Sequence, residues 1–123
     1  MERGMARGDD IEERLVDYAV RVVRVCTRLP KGAIGGHFAD QLLRSGTAPA
    51  AHYAEGRTAE SRKDFIHKLR LALKEANESR IWLRIIVKSD LIKGELLEDL
   101  LAEADAICRI LNASIHTTQQ NTQ

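Results

Sequence analysis

The chain has 123 residues, of which 44% are hydrophobic and 30% charged, and its formal net charge is +1. These values are typical of one soluble globular domain and exclude a disulfide-rich or disordered chain. Because the apolar runs are short and the first ten residues lack an apolar core, the sequence predicts neither a membrane span nor a signal peptide, and we expect a cytoplasmic protein. Cys26 and Cys108 each lie in an apolar periodic segment and are interpreted as small buried side chains that stay reduced.

Four segments show helical periodicity, and none shows the alternation of a strand. The sequence therefore predicts an all-α protein, an up-down antiparallel four-helix bundle over residues 10–115. Residues 1–9 are predicted to be a flexible N-terminus and residues 116–123 a disordered tail.

The first predicted helix has one apolar seam and ends before Pro30, with Asp9 or Asp10 as its N-cap. The seam residues recur at spacings of three and four: Ile11, Leu15, Tyr18, Val22, Val25 and Leu29.

The second predicted helix contains Pro49, which is unusual inside a helix. Phe38, Leu42 and Leu43 begin an apolar stripe that resumes beyond the proline with Ala50, Ala51, Tyr53 and Ala54. A proline inside a helix costs roughly 3 kcal/mol, so a helix end at Ala48 is the default interpretation. A kinked but continuous helix that ends near Gly56 is the alternative, because the surrounding small residues allow close packing.

The third and fourth predicted helices have clear seams as well. Ser61 is the predicted N-cap of the third helix, with Asp64 three residues later, and the fourth is expected from about Gly94 to Ile115. The third seam contains Phe65, Leu69, Ala72, Ala76, Ser79, Leu83 and Ile86, and the fourth contains Leu97, Leu100, Leu101, Ala104, Ile107, Leu111 and Ile115.

Two adjoining motifs carry a resemblance to a known family. The strings SGTAPAAHYAEG (45–56) and ESRKDFIHKLRLALKEANESRIWLRII (60–86) resemble bacterial four-helix-bundle proteins encoded in intervening sequences of large-subunit ribosomal RNA genes. In that family the proline lies inside the second helix, so the resemblance implies a kink at Pro49. His52 stands where the family usually has asparagine.

The same resemblance implies an assembly and a class of partner. The family is similar in architecture to the accessory variability proteins of diversity-generating retroelements, which form pentameric barrels and assist a reverse transcriptase and its RNA. The resemblance therefore implies a homopentamer without catalytic residues. Its expected partners are structured RNA or DNA, a reverse transcriptase or a ribosomal component, and no membrane.

Charge on the third helix points to phosphate binding. On a helical wheel, one line of its surface carries five cations, which we call the basic face: Lys63, Arg70, Lys74, Arg84 and Lys88. Repeated cationic rows in an oligomer attract polyanions. Solubility is the alternative interpretation of such a face, and an acidic protein or a neighbouring subunit is the alternative partner.

A second flank of the third helix mixes apolar and acidic residues. Leu71, Trp82 and Ile85 lie on this flank and are predicted to form a subunit interface, since large apolar groups away from the core seek burial. Alternatively, Trp82 covers the end of its own bundle or packs under the 89–94 loop.

Enzyme chemistry is not predicted. The best candidates for a di-iron pattern are Asp64 with His67 and His52 with Glu55, but His67 points away from the core seam and the other seams supply no carboxylates. No zinc spacing, phosphate loop or nucleophile motif is present. The sequence therefore predicts no catalytic residue, no metal and no cofactor.

Overall fold

The fold is an all-α four-helix bundle, seen in a computed structural model that describes residues 2–121 and the side chains of residues 8–121. Helix α1 spans Glu2–Arg28, α2 spans Ala33–Arg57, α3 spans Arg62–Lys88 and α4 spans Glu98–Gln120. A short 3-10 turn, Gly94–Leu96, precedes α4.

Short connections make each helix antiparallel to the next, as in an up-down bundle. Ion pairs confirm this direction, because Arg57 at the end of α2 contacts Asp9 near the start of α1 at 2.7 Å. Helices α1 and α2, α2 and α3, and α3 and α4 pack extensively, whereas α1 and α4 touch at few points. The seam between α1 and α4 is therefore the most open side of the bundle.

The helices extend beyond the predicted bundle at both ends. Neither Asp9 nor Asp10 is an N-cap, since α1 begins at Glu2, and α4 continues past Ile115 to Gln120. Residue 1 of the predicted flexible start and residues 122–123 of the predicted tail lie outside the described chain. The flexibility of both ends stays a prediction.

The predicted seams of α1, α3 and α4 form the core. Of their members, only Ile11, Phe65 and Leu101 are half-buried, and all three pack against the buried cluster. Ser61 caps α3 as predicted, since its hydroxyl accepts a hydrogen bond from the Asp64 amide at 3.1 Å. Heptad-like spacing was therefore sufficient to locate these three faces.

Helix α2 corrects the sequence prediction in part. It continues through Pro49 without a break, which excludes an end at Ala48, while the kink itself stays a prediction. Leu43 and Ala51 of the predicted stripe are exposed. The core face is built largely from small residues instead: Gly35, Leu42, Ser45, Gly46, Pro49, Tyr53 and Gly56.

None of the helices, over the part of the chain that the structure describes, is long and apolar enough to cross a bilayer.

Candidate nucleic-acid interface

All five residues of the basic face are exposed on the outer surface of α3, together with His67 and Asn77. Helix α3 packs on α2 along one flank and on α4 along the other, so this surface points directly away from the bundle. From Lys63 to Lys88 the helix rises about 37 Å at 1.5 Å per residue. The face is therefore a straight row of cations along the whole helix.

The lysines and arginines of α3 form different contacts according to the side of the helix on which they lie. Lys68 faces α2 and contacts Glu55 at 3.1 Å, and Arg80 faces α4 and contacts Asp105 at 3.6 Å. Arg62, at the start of the helix, donates a hydrogen bond to the carbonyl of Asn121. By contrast, within residues 8–121 no carboxylate forms an ion pair with any member of the basic face. Its positive charge is left for an external partner or for solvent.

The flank with Leu71 and Trp82 faces α2 of the same chain. Trp82 packs edge-on against Phe38 and His37, with ring centroids 5.8 Å apart in each case. Its Nε1 donates a hydrogen bond to Glu78 Oε2 at 2.9 Å. Trp82 and Leu71 are thus half-buried inside one chain, and only Ile85, 38% exposed, presents a large surface to solvent. Their role in a subunit interface stays a prediction.

Arg44 of α2 completes this contact. Its guanidinium contacts Glu75 at 3.0 Å and also Glu78. The hydrogen bonds from Trp82 and Arg44 hold the pKa of Glu78 below its usual value, against the effect of burial. Glu75 and Glu78 are therefore engaged by α2 and form no ion pair with the basic face.

Comparison with known proteins agrees with this architecture. Residues 10–113 match the model of the 23S rRNA-intervening sequence protein family. The chain belongs to this family. A solved structure from Bacteroides thetaiotaomicron, described as a protein with unknown function from the S23 ribosomal protein family, is 34% identical. The match covers 85% of this chain and 97% of that one, with a TM-score of 0.79, while no curated protein matches the chain.

His52 of this family member lies close to Glu55 without forming a tight pair. Its Nδ1 is buried and 3.6 Å from Glu55 Oε1, too far for a hydrogen bond, and it has no other partner among the described residues. The same carboxylate oxygen accepts a hydrogen bond from Lys68 at 3.1 Å, which is the main cause of the lowered pKa of Glu55. Glu55 is thus held as a carboxylate mainly by Lys68, with a smaller contribution from His52.

His67, a candidate of the di-iron pattern, is exposed on α3. Among residues 8–121, no cluster of three or more histidine, cysteine, aspartate or glutamate side chains could hold an ion. Burial raises the pKa of both thiols, Cys26 and Cys108, which reduces their nucleophilic form near neutral pH.

One exposed surface was missed by the sequence interpretation. Val16, Val20 and Val23, here called the valine strip, are 40–43% exposed on the outer side of α1. Leu43 of α2, 42% exposed, lies beside its C-terminal end, since α1 and α2 are antiparallel and Gly46 lies against Val22. The spacing of four and three was present in the sequence. The strip was not recognised because the core residues of α1, which include Val22 and Val25, recur at the same spacings in the same stretch of sequence.

Proposed function

We propose that this family member is a non-catalytic accessory module of the cytoplasm that binds the phosphate backbone of structured RNA or duplex DNA. The observation that carries the proposal is the division of the α3 cations. Lys68 and Arg80, which face neighbouring helices, are paired with carboxylates, whereas the five on the basic face are exposed and unpaired within residues 8–121. Rows of unpaired cations bind polyanions by releasing condensed counterions.

The burial of the aromatic side chains favours contact with phosphates over recognition of bases. The chain has five of them, and all are at least partly buried: Tyr18, Phe38, Tyr53, Phe65 and Trp82. Proteins that bind single strands stack bases on exposed aromatic rings. We therefore expect a preference for duplex and folded polymers, with little dependence on sequence. The family is named after 23S rRNA, which makes structured ribosomal RNA the first polymer to test.

A salt titration tests this function. Binding of labelled structured RNA and duplex DNA is measured against salt concentration for the wild type and for a Lys74→Glu, Arg84→Glu variant, after light scattering has fixed the mass of each. Each phosphate contact contributes about 0.9 to the slope of log affinity against log salt for duplex DNA, so the slope should fall by about two. Arg109→Glu, a single charge reversal, is the control, because Arg109 is exposed on α4 and is not part of the basic face.

Two results would contradict nucleic-acid binding. One is the lack of any binding at low salt by protein of normal fold. The other is a loss in the Arg109→Glu control that is as large per reversed charge as in the double variant, which would assign the effect to net charge and not to the basic face.

A structural or docking oligomer is the second candidate, favoured by two exposed isoleucines of α3: Ile81, between the cations of the basic face, and Ile85, on the adjoining flank. Ile81 and Ile85 are 37% and 38% exposed, and phosphate contact gives no reason for them. The valine strip on α1 is a second unpartnered apolar surface, on the opposite corner of the bundle. The two surfaces could bury each other in neighbouring subunits of a homo-oligomer, such as the expected pentamer.

The exposed isoleucines of α3 and the valine strip of α1 lie at about the same height along the bundle axis. Helices α1 and α3 run in the same direction, and the hydrogen bond between Tyr18 and Ser79 sets residues 61 apart in sequence at about the same height. In a ring whose axis is parallel to the helices, residues of equal height meet. Glu13 would then face Lys74, and Val20 would face Ile81. This assembly covers Lys74, so it competes with phosphate binding at the same residues.

A further inference from the structure

A hollow with an apolar floor and three arginines lies between the second half of α1 and the segment that leads into α4. Its volume is about 190 Å³. We call it the arginine hollow, and its lining residues are Arg21, Arg24, Val25, Arg28, Ile92, Leu96, Leu97 and Leu100. It lies on a different side of the bundle from the basic face.

The open seam between α1 and α4 produces this hollow. The 3-10 turn delays the start of α4, so Leu97 and Leu100 reach the core while Leu96 stands at the rim with 57% of its surface exposed. Val25 and Ile92 close the floor and are 6% and 8% exposed. Apolar side chains that are buried in the protein thus form the bottom of a site that is open to solvent.

The three arginines differ from Arg14, their neighbour on α1, because they are not held in ion pairs. Arg14, further toward the N-terminus on the same side of α1, donates two hydrogen bonds to the carboxylate of Glu103, at 2.7 and 2.8 Å. Within residues 8–121, Arg21, Arg24 and Arg28 have no comparable ion pair. Arg21 helps to lower the pKa of Glu103, but that carboxylate is already bound by Arg14. Glu95, next to the lining residue Leu96, forms no ion pair with any of the three arginines.

The helix dipole explains these arginines only in part. A cation in the last turn stabilises a helix by interacting with its carbonyl end, and Arg28 is in that turn. Arg21 lies about two turns earlier, where this effect has faded. Stabilisation of α1 therefore does not account for an arginine on each turn above an apolar floor.

We infer that the arginine hollow binds a small organic anion, a carboxylate attached to an aliphatic body. The guanidinium groups supply planar pairs of donors that match the two oxygens of a carboxylate. The floor of Val25, Ile92, Leu97 and Leu100 takes the aliphatic part, which leaves water as it enters. A single water molecule needs only about 10–15 Å³ of such space, so the hollow has room for a ligand of several carbons.

Octanoate is the probe, with two partial analogues as controls. Acetate has the charge without the body, and 1-octanol has the body without the charge. Each is titrated into the isotopically labelled full-length protein, and amide and arginine side-chain resonances are followed. Octanoate should shift resonances of residues 21–28 and 92–100 in a saturable way, and both analogues should bind at least about tenfold more weakly, because each lacks one half of the interaction.

An Arg24→Gln, Arg28→Gln variant tests the role of the guanidinium groups. Both side chains are exposed, so the variant should fold normally while its affinity for octanoate falls about tenfold or more. Arg109→Gln, which removes an exposed arginine from α4, should bind octanoate as the wild type does. Leu100→Asn would test the floor, but it alters the core, so the arginine variant is decisive.

Three results would overturn the inference: shifts that map elsewhere, acetate binding as tightly as octanoate, or an unchanged affinity in the arginine variant. The site is also separable from the proposed function. Lys74→Glu, Arg84→Glu should weaken nucleic-acid binding and leave the octanoate titration unchanged, so that either hypothesis can fail without the other.

Discussion

At the scale of single residues, the hydrogen bond between Tyr18 and Ser79 joins α1 to α3 across the core. The two hydroxyl oxygens are 2.8 Å apart, and Ser79 also donates to the carbonyl of Ala76 at 2.7 Å. Because a serine hydroxyl has one proton, Ser79 accepts from Tyr18. Among residues 8–121, the Tyr18 hydroxyl has Ser79 as its one hydrogen-bond partner, whereas Ser79 keeps its bond to Ala76 if Tyr18 is changed.

This asymmetry predicts an unusual order of stability. Ser79→Ala should lower the free energy of unfolding by about 1–3 kcal/mol, because it leaves a buried phenol without an acceptor. Tyr18→Phe should cost less, and the double variant should be more stable than Ser79→Ala alone. Urea unfolding of the four proteins measures the cycle. A double variant less stable than either single one would contradict this assignment of donor and acceptor.

Tyr18 also predicts a sensitivity to alkaline pH. Burial raises the pKa of Tyr18 from 10.0 to about 12. Between these values the unfolded chain loses the phenol proton while the native chain keeps it, so the free energy of unfolding falls as pH rises. Below pH 10 the contribution of Tyr18 to stability does not change with pH. Unfolding at pH 9 and pH 11 should show a smaller alkaline loss in Tyr18→Phe than in the wild type. A remaining loss is expected from Tyr53, whose pKa burial also raises.

At the scale of helices, Gly46 sets how closely α1 and α2 approach. A Cβ atom at this position would lie 2.6 Å from Cγ1 and 2.7 Å from Cγ2 of Val22, whose branched side chain has little freedom to move. Gly46→Ala should therefore destabilise the protein by about 1–3 kcal/mol, despite the better helix propensity of alanine.

Gly36→Ala is the matched control on the same helix. A Cβ atom there meets nothing within 4 Å, so the change should be neutral or stabilising by up to about 1 kcal/mol. Thermal unfolding compares the two variants. In a Val22→Ala background, the loss caused by Gly46→Ala should be smaller than in the wild type. Equal effects at both glycines would show that helix propensity, and not packing, decides the outcome.

Helix α2 also shows why sequence could predict most of the fold but not all of it. Large apolar residues at spacings of three and four identified the core faces of α1, α3 and α4. The core face of α2 uses glycine, serine and proline, whose burial depends on how near the next helix comes, and this is not encoded in local periodicity. The continuity of α2 through Pro49 was predicted from a resemblance and not from propensity, which favours a helix end.

Some features of the candidate surfaces could be predicted from the sequence, whereas others depend on how the helices are placed. Exposure of the basic face followed from helical geometry, because its members lie opposite the core seam of α3. The contact of Trp82 with Phe38 depends on the relative placement of two helices, and the arginine hollow depends on how far α1 and α4 separate. Neither distance can be obtained from the pattern of one helix.

At the scale of the whole molecule, the two candidate functions make opposite use of Lys74. In phosphate binding it faces a polymer, and in self-assembly it faces Glu13 of a second copy. Glu13 and Lys74 are both exposed, so neither substitution disturbs the core. A reversal of charge at both positions can therefore separate the two functions within one folded protein.

The last prediction is the outcome of that exchange. If the copies associate through these faces, Glu13→Lys and Lys74→Glu should each reduce the mass measured by light scattering, because like charges then meet, and the double variant should restore it. Nucleic-acid binding should stay weak in the double variant, since the basic face still lacks Lys74. Assembly that is unaffected by all three variants, together with weakened RNA binding in both proteins that carry Lys74→Glu, would exclude the self-docking face and leave phosphate binding as the role of α3.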